Sequence, residues 1–250
     1  MRLIASLSFA ALSIAFAAIS PATAQGTPPA APAAPATTPP AAAAMEYAVM
    51  RTNKGDIVIE LDRAKAPITV ENFVGYIKDG FYDGTVFHRV VPNFVIQGGG
   101  FNTAGQQKKT KAPIRNEWQN GLKNKRGTLS MARTNDPNSA SSQFFISLKD
   151  NDMLDQPISG GAGYAVFGRV IAGMEIVDVI GRSRTTVRND MPGWPIVDAT
   201  ISKAEMISKE EADKLVAEAK AKAQKPATPP AAAPAAPAAP AAPAAPKKQG

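Results

Sequence analysis

The 250-residue chain has no cysteine and a single histidine, His88. Without thiols there is no disulfide framework, no thiolate zinc site, no cysteine nucleophile and no cysteine for lipid attachment. One imidazole excludes metal sites built on two or more, and it leaves any Ser-His-Asp arrangement with one possible base. Aromatics are sparse at 6%. The formal net charge is +7, yet residues 46–207 hold 20 Lys/Arg against 17 Asp/Glu, so much of the basic character lies at the ends. The densest basic runs are Lys108, Lys109 and Lys111, then Lys123, Lys125 and Arg126. Nucleic-acid binding draws on aromatics interleaved with such runs, and only Trp118 lies among them, so they read as solvated loops with no nucleic-acid partner.

Proline is unevenly spread. Of 22 prolines, seven precede Met45, eight follow Lys225 and seven remain between. Residues 1–24 read as a signal peptide: Arg2 supplies the positive start, residues 3–19 the apolar run, and Ala22-Thr23-Ala24 the cleavage site, so that the exported protein begins at Gln25. An uncleaved anchor is the alternative, because that run approaches the shortest membrane-spanning helix. After cleavage no stable membrane insertion is expected, and the location is the periplasm. Residues 25–44 and 226–250 are Ala/Pro-rich, with too little apolar surface to offset chain entropy, and are expected to be disordered. The Pro-Ala-Ala period of the second tail matches the turn of polyproline II. It suits a spacer or a docking strip, with low-complexity drift as the plain alternative. Between core and tail, residues 208–225 carry a Ser208/Glu211 capping box with Ala212, Leu215, Val216 and Ala219 at helical spacing. The short amphipathic helix this predicts packs on its own domain, frays in solvent or offers a face to a partner.

The remaining stretch, residues 45–207, is dominated by period-two alternation. Strands are expected over 47–51, 57–61, 85–91, 94–97, 127–131, 143–148, 165–170 and 196–206, each bounded by Gly, Pro, Asn or Asp. Such a series without alternating helices points to an antiparallel barrel or sandwich. Two segments depart from it. Residues 67–78 carry Val70, Phe73, Val74 and Ile77 on one helical face with Gly80 beyond, and residues 174–180 give a shorter helix before Gly181. The two helices could plug the ends of a barrel.

The usual catalytic templates fail. Residues 100–105 have the spacing of a phosphate loop, but Gln106 and Gln107 stand where Lys and Ser/Thr are needed. There is no G-x-S-x-G elbow, and a hydrolase could rest only on His88. What remains is the run from Phe87 to Phe101. On a continuous strand Phe87, Arg89 and Val91 point one way and His88 and Val90 the other, which puts an arginine among apolar neighbours. A paired carboxylate is the structural explanation for it. Phe94 and Gln97 follow across a Pro92-Asn93 turn.

Four motifs in order then carry a resemblance: Phe87-His88-Arg89-Val90-Val91-Pro92 with Phe94 and Gln97-Gly98-Gly99; Leu129-Ser130-Met131-Ala132-Arg133; Ser142-Gln143-Phe144-Phe145-Ile146; and Tyr164-Ala165-Val166-Phe167-Gly168-Arg169-Val170. Together the chain resembles the cyclophilin-type peptidyl-prolyl cis-trans isomerases in their short bacterial, periplasmic form, over nearly all of residues 46–207. The resemblance implies a closed eight-stranded antiparallel barrel capped by two helices, and rotation about X-Pro bonds of extended or unfolded proline-containing polypeptides. It implies no cofactor and no metal, and a monomer is expected.

By matching position, Arg89, Phe94 and Gln97 form the catalytic set, with the guanidinium hydrogen-bonding the prolyl nitrogen in the twisted state. Val95, Phe145 and Leu154 join Phe94 around the proline ring, with Met153 and Tyr164 at the rim. Ala132, Arg133 and Gln143 line the groove for the flanking peptide, and His88 stands beside the arginine in a structural role. Met153 replaces the tryptophan of many eukaryotic members, which implies weak binding of cyclosporin. The glycine-rich residues 156–163 are expected to form a mobile loop. A proline-peptide reader or holdase with little turnover is the competing function.

Overall fold

A computed structural model describes residues 45–224; the signal peptide and both Ala/Pro tails of the sequence reading lie outside the described residues. Eleven strands and three α-helices are present among these. The first hairpin pairs β1 (Glu46–Thr52) with β2 (Gly55–Leu61), and α1 (Pro67–Lys78) follows. Next come β3 (Thr85–Val86), β4 (Arg89–Val91), β5 (Val95–Gly98), β6 (Thr128–Met131) and β7 (Phe144–Ser147). After them come β8 (Val166–Ala172), α2 (Met174–Gly181), β9 (Thr185–Arg188), β10 (Met191–Pro195), β11 (Thr200–Ile207) and α3 (Lys209–Gln224).

Nine strands form one antiparallel sheet in the order β3-β11-β1-β2-β8-β6-β7-β5-β4, and β9 and β10 form a separate ribbon. The expected eight strands are thus nine in a curled sheet. The extra one arises because residues 85–91 change partner midway: Thr85 and Val86 pair with β11, whereas Arg89 to Val91 pair with β5. The two unladdered residues between, Phe87 and His88, reset the side-chain alternation. Phe87 therefore joins Val90 in the interior cluster instead of sharing a face with Arg89.

That interior is the main core. Ile57, Ile59 and Leu61 of β2, Ile96, Leu129, Phe144 and Ile146 point into it. Val70, Phe73 and Ile77 of α1 and Val177 and Ile180 of α2 fill it from the helical side. The first two predicted helices so pack on one cluster, α1 with the predicted bounds. The Glu117 carboxylate accepts from the N–H of Ile68 and Thr69 at 3.1 and 2.8 Å, a cap for α1 supplied from far along the chain. The third helix covers the outside of β1, β2 and β8. Its Ala212 is buried with Val49 and Val58, Leu215 packs beside them, and Ser208 caps its start by accepting from the Glu211 N–H. Of the three sequence readings for this helix, packing on its own domain is the one observed. None of the helices among the described residues is long and apolar enough to cross a membrane.

The ribbon was not legible in the sequence. Its turn uses left-handed Asn189 and Asp190, but Pro192, Gly193 and Pro195 hide the alternation. Asp198 accepts from the Trp194 indole at 2.9 Å and pairs with Arg188, which draws residues 196–199 out of the ladder and delays β11 to Thr200.

Candidate active site

The site lies on the outer face of the sheet, where β4, β5, β7 and β6 run side by side. Arg89 opposes Gln97, Gln97 opposes Phe145, and Phe145 opposes Ser130, so four strands contribute one row of side chains. The alternate residues, Val90, Ile96, Ile146 and Leu129, face the core and fix that row outward. The β4–β5 hairpin turns through Asn93 at φ 57°, and Phe94 closes it with an N–H bond to the Val91 carbonyl at 3.1 Å.

Arg89 is half-buried and, among the described residues, forms no ion pair, so the carboxylate partner considered from the sequence is not what holds it. Its Nη1 donates to Gln97 Oε1 at 3.5 Å, and Gln97 Nε2 donates to Gln143 Oε1 at 2.9 Å. Next to this polar line is a dry one. Val95, Phe145 and Leu154 form a buried cluster with Phe94, Ala132 and Tyr164 packed against it, and the Phe145 and Tyr164 rings meet edge to face at 5.6 Å. Between the two lies a cleft of about 270 Å³, lined by Arg133 and the residues just named other than Gln143. Pockets for cofactors and drug-sized ligands hold roughly 300–1,000 Å³, so this one suits a single ring with its flanking backbone.

Nine of the twelve residues singled out in the sequence line this cleft. The other three do not. Gln143 sits behind Gln97 as its hydrogen-bond acceptor. Met153 is exposed on the 3-10 turn Asp152–Asp155, while its neighbour Leu154 points inward. His88 is buried behind Arg89, with its ring 4.6 Å from Phe101 and 5.9 Å from Trp194. Burial pushes its imidazole down to about 4; the Arg89 charge adds to this, and the Val86 main chain and Gln143 oppose it. The ring is neutral at pH 7.

The glycine-rich loop, residues 156–163, lies close against residues 133–135. Gly160 stands at φ +63°, and a Cβ there would come within 1.7 Å of the Asn135 carbonyl oxygen. Arg133 donates to the carbonyls of Ala162 and Gly163 and lies 4.5 Å over the Tyr164 ring. Glycine here serves close packing, and the loop is docked against residues 133–135. The ribbon contributes from the other side. A Cβ on Gly193, at φ +88°, would lie 3.0 Å from the Val90 carbonyl oxygen and 3.6 Å from Arg89 Cγ, so β10 lies along β4 and beside the arginine stem.

An arginine held by an amide over a dry, ring-sized hollow agrees with what comparison of the whole sequence returns. The sequence model for "Cyclophilin type peptidyl-prolyl cis-trans isomerase/CLD" matches residues 47–206. The chain belongs to the cyclophilin family. It is a peptidyl-prolyl cis-trans isomerase, with proline-containing polypeptides as substrates. Over 158 residues it is 52% identical to the peptidyl-prolyl cis-trans isomerase of Acinetobacter baylyi, covering 62% of this chain and 84% of that protein. Isomerase B of Escherichia coli K12 is 49% identical over 161 residues, covering 62% and 97%. A crystal structure of a Cryptosporidium parvum cyclophilin-type isomerase superposes with a TM-score of 0.54 at 27% identity, covering 66% of this chain and 99% of that one. The same protein in the presence of the dipeptide Ala-Pro gives 0.53 at 28% identity.

Proposed function

We propose that this cyclophilin isomerises X-Pro bonds by directing the Arg89 guanidinium at the prolyl nitrogen in the twisted transition state. The planar amide shares the nitrogen lone pair with the carbonyl, and uncatalysed rotation takes tens to hundreds of seconds. At the twisted state the lone pair is released and becomes a better hydrogen-bond acceptor. A cation aimed at it interacts more strongly there than in either planar form, and only such differential interactions accelerate a reaction. Reaching milliseconds requires lowering the barrier by roughly 5 to 7 kcal/mol.

The observation that carries this reading is the convergence of the Arg89–Gln97–Gln143 line with the dry floor of Val95, Phe145 and Leu154 in one cleft. The floor holds the proline ring while the acyl side turns, Gln97 steadies the guanidinium, and Ala132 and the Arg133 main chain bound the groove for flanking residues. His88 stays neutral and structural. A serine hydrolase built on it lacks its nucleophile, because among the described residues no serine hydroxyl bonds to that ring.

Ala-Pro, the dipeptide named with the Cryptosporidium parvum structure, sets the probe: a short Ala-Pro peptide followed by NMR exchange between its cis and trans forms. Arg89→Ala is expected to cut catalysed exchange by at least about tenfold, while Arg89→Lys, a point charge without the planar fork, recovers little of it. Undiminished exchange in folded Arg89→Ala removes the mechanism. Saturable peptide binding without exchange in the unaltered protein favours the holdase reading instead.

Taken as one strand that changes partner at Phe87 and His88, β3 and β4 join the two ends of the sheet, and eight strands then close into a barrel. Exposed X-Pro bonds of exported proteins are the substrates if residues 1–24 direct export to the periplasm, where residues 45–207 act as a monomeric isomerase domain between two Ala/Pro tethers.

A further inference from the structure

Asn124 contributes no surface to the cleft, yet its polar groups are bonded to the segments that form the cleft's walls. It is fully buried. Its Oδ1 accepts from Ser130 Oγ at 2.7 Å. Its main-chain N–H and Nδ2 both donate to Asp155 Oδ1, at 2.9 and 2.8 Å, and Nδ2 also reaches the Tyr164 carbonyl at 3.3 Å. Its own carbonyl accepts from the Asn151 N–H at 2.8 Å.

Three separate stretches of chain meet at this residue. Ser130 is the strand partner of Phe145 in the outward row. Asn151 and Asp155 bracket the turn that presents Leu154, whose N–H bonds the Asn151 carbonyl at 2.8 Å. Tyr164 forms the facing wall, and its N–H bonds the Leu154 carbonyl at 2.9 Å.

We propose that Asn124 is a positioning residue for X-Pro isomerisation: it sets the separation of the Leu154 and Tyr164 walls over the Phe145 floor. The proposal rests on this cleft being the site of the reaction. A slightly looser hollow still accepts a proline ring attached to a planar amide. It no longer holds that ring still while the acyl side turns, and small misplacements cost rate out of proportion to binding. Removing the carboxamide takes the acceptor from the buried Ser130 hydroxyl and one donor each from Asp155 Oδ1 and the Tyr164 carbonyl, which loosens both walls. The loss therefore falls on exchange of the bound peptide and spares its affinity.

NMR lineshapes of a short Ala-Pro peptide separate the two quantities, dissociation constant and bound-state exchange rate. They are measured at a temperature where circular dichroism shows every variant folded. Asn124→Ala and Asp155→Ala are each expected to slow bound-state exchange about tenfold and to leave the dissociation constant within about threefold. The double variant is expected to lose clearly less than the product of the two single losses, because the bond from Asn124 Nδ2 to Asp155 Oδ1 is broken by both changes. Asp155→Asn keeps an oxygen that accepts both bonds from Asn124, and is expected to restore exchange to within about twofold. Wild-type exchange in Asn124→Ala, or a double variant whose losses multiply, overturns the positioning role. If Asn124→Ala does not fold, the Asp155 pair decides: slow Ala with fast Asn supports the role, and equal rates overturn it. Arg89→Ala is run alongside. Full exchange in that variant defeats the reading of the cleft, whereas its failure together with wild-type exchange in Asn124→Ala defeats only the role of Asn124.

Discussion

Two adjacent residues with opposite surroundings define the site. Arg89 faces the cleft with an amide partner, and His88 is sealed behind it against Phe101 and Trp194. The imidazole sits at about 4 in the fold because burial disfavours its charged form, against about 6.5 in an unfolded chain. Between those values the unfolded chain binds the extra proton, so stability is fully present above about pH 6.5 and is lost as pH falls toward 4. The shift corresponds to about 3 kcal/mol. Urea unfolding followed from pH 7.5 to 4 is expected to lose about that much more in the wild type than in His88→Phe; parallel profiles for the two proteins would exclude His88 as the source. The identities of the cleft residues were legible because the motifs name most of them, and Val95 and Leu154 follow from matching position. The exposure of Met153 and the hub at Asn124 were not, since neither a turn's outward residue nor a buried carboxamide leaves a periodic trace in the sequence.

Among the elements, α3 lies beyond the residues matched by the family, which end at 206, and yet it is packed on the sheet. Ala212 is its only fully buried residue, set between Val49 and Val58 where no larger or charged group fits. Ala212→Glu is expected to lower the unfolding free energy by roughly 2–4 kcal/mol, measured by urea denaturation, through burial of an unpaired carboxyl. Catalysed exchange per folded molecule stays unchanged, because α3 covers β1, β2 and β8 and the cleft lies on β4, β5, β6 and β7. An unaltered midpoint would mean that the helix is docked loosely. Helix α1 was readable to its bounds because an amphipathic stripe, a proline start and a glycine stop coincide there. Segment 85–91 was read as one strand because nothing in its composition marks where it leaves β11 for β5.

At the scale of the whole molecule, the cleft is lined, among the described residues, by side chains drawn from between residues 89 and 164. If the leader directs export, mass spectrometry of protein recovered from the periplasm is expected to find Gln25 at the N-terminus; an intact Met1 on membrane-bound protein points to an anchor instead. The sequence by itself determined what depends on neighbours along the chain: alternating strands, three helices, and motifs placing an arginine, a glutamine and apolar side chains in order. The tertiary structure alone decided what those residues meet. Gln97 finds Gln143 46 positions away, and Asn124 finds Asp155 31 positions away. Such contacts depend on the register and curl of the whole sheet, and local periodicity carries no record of either.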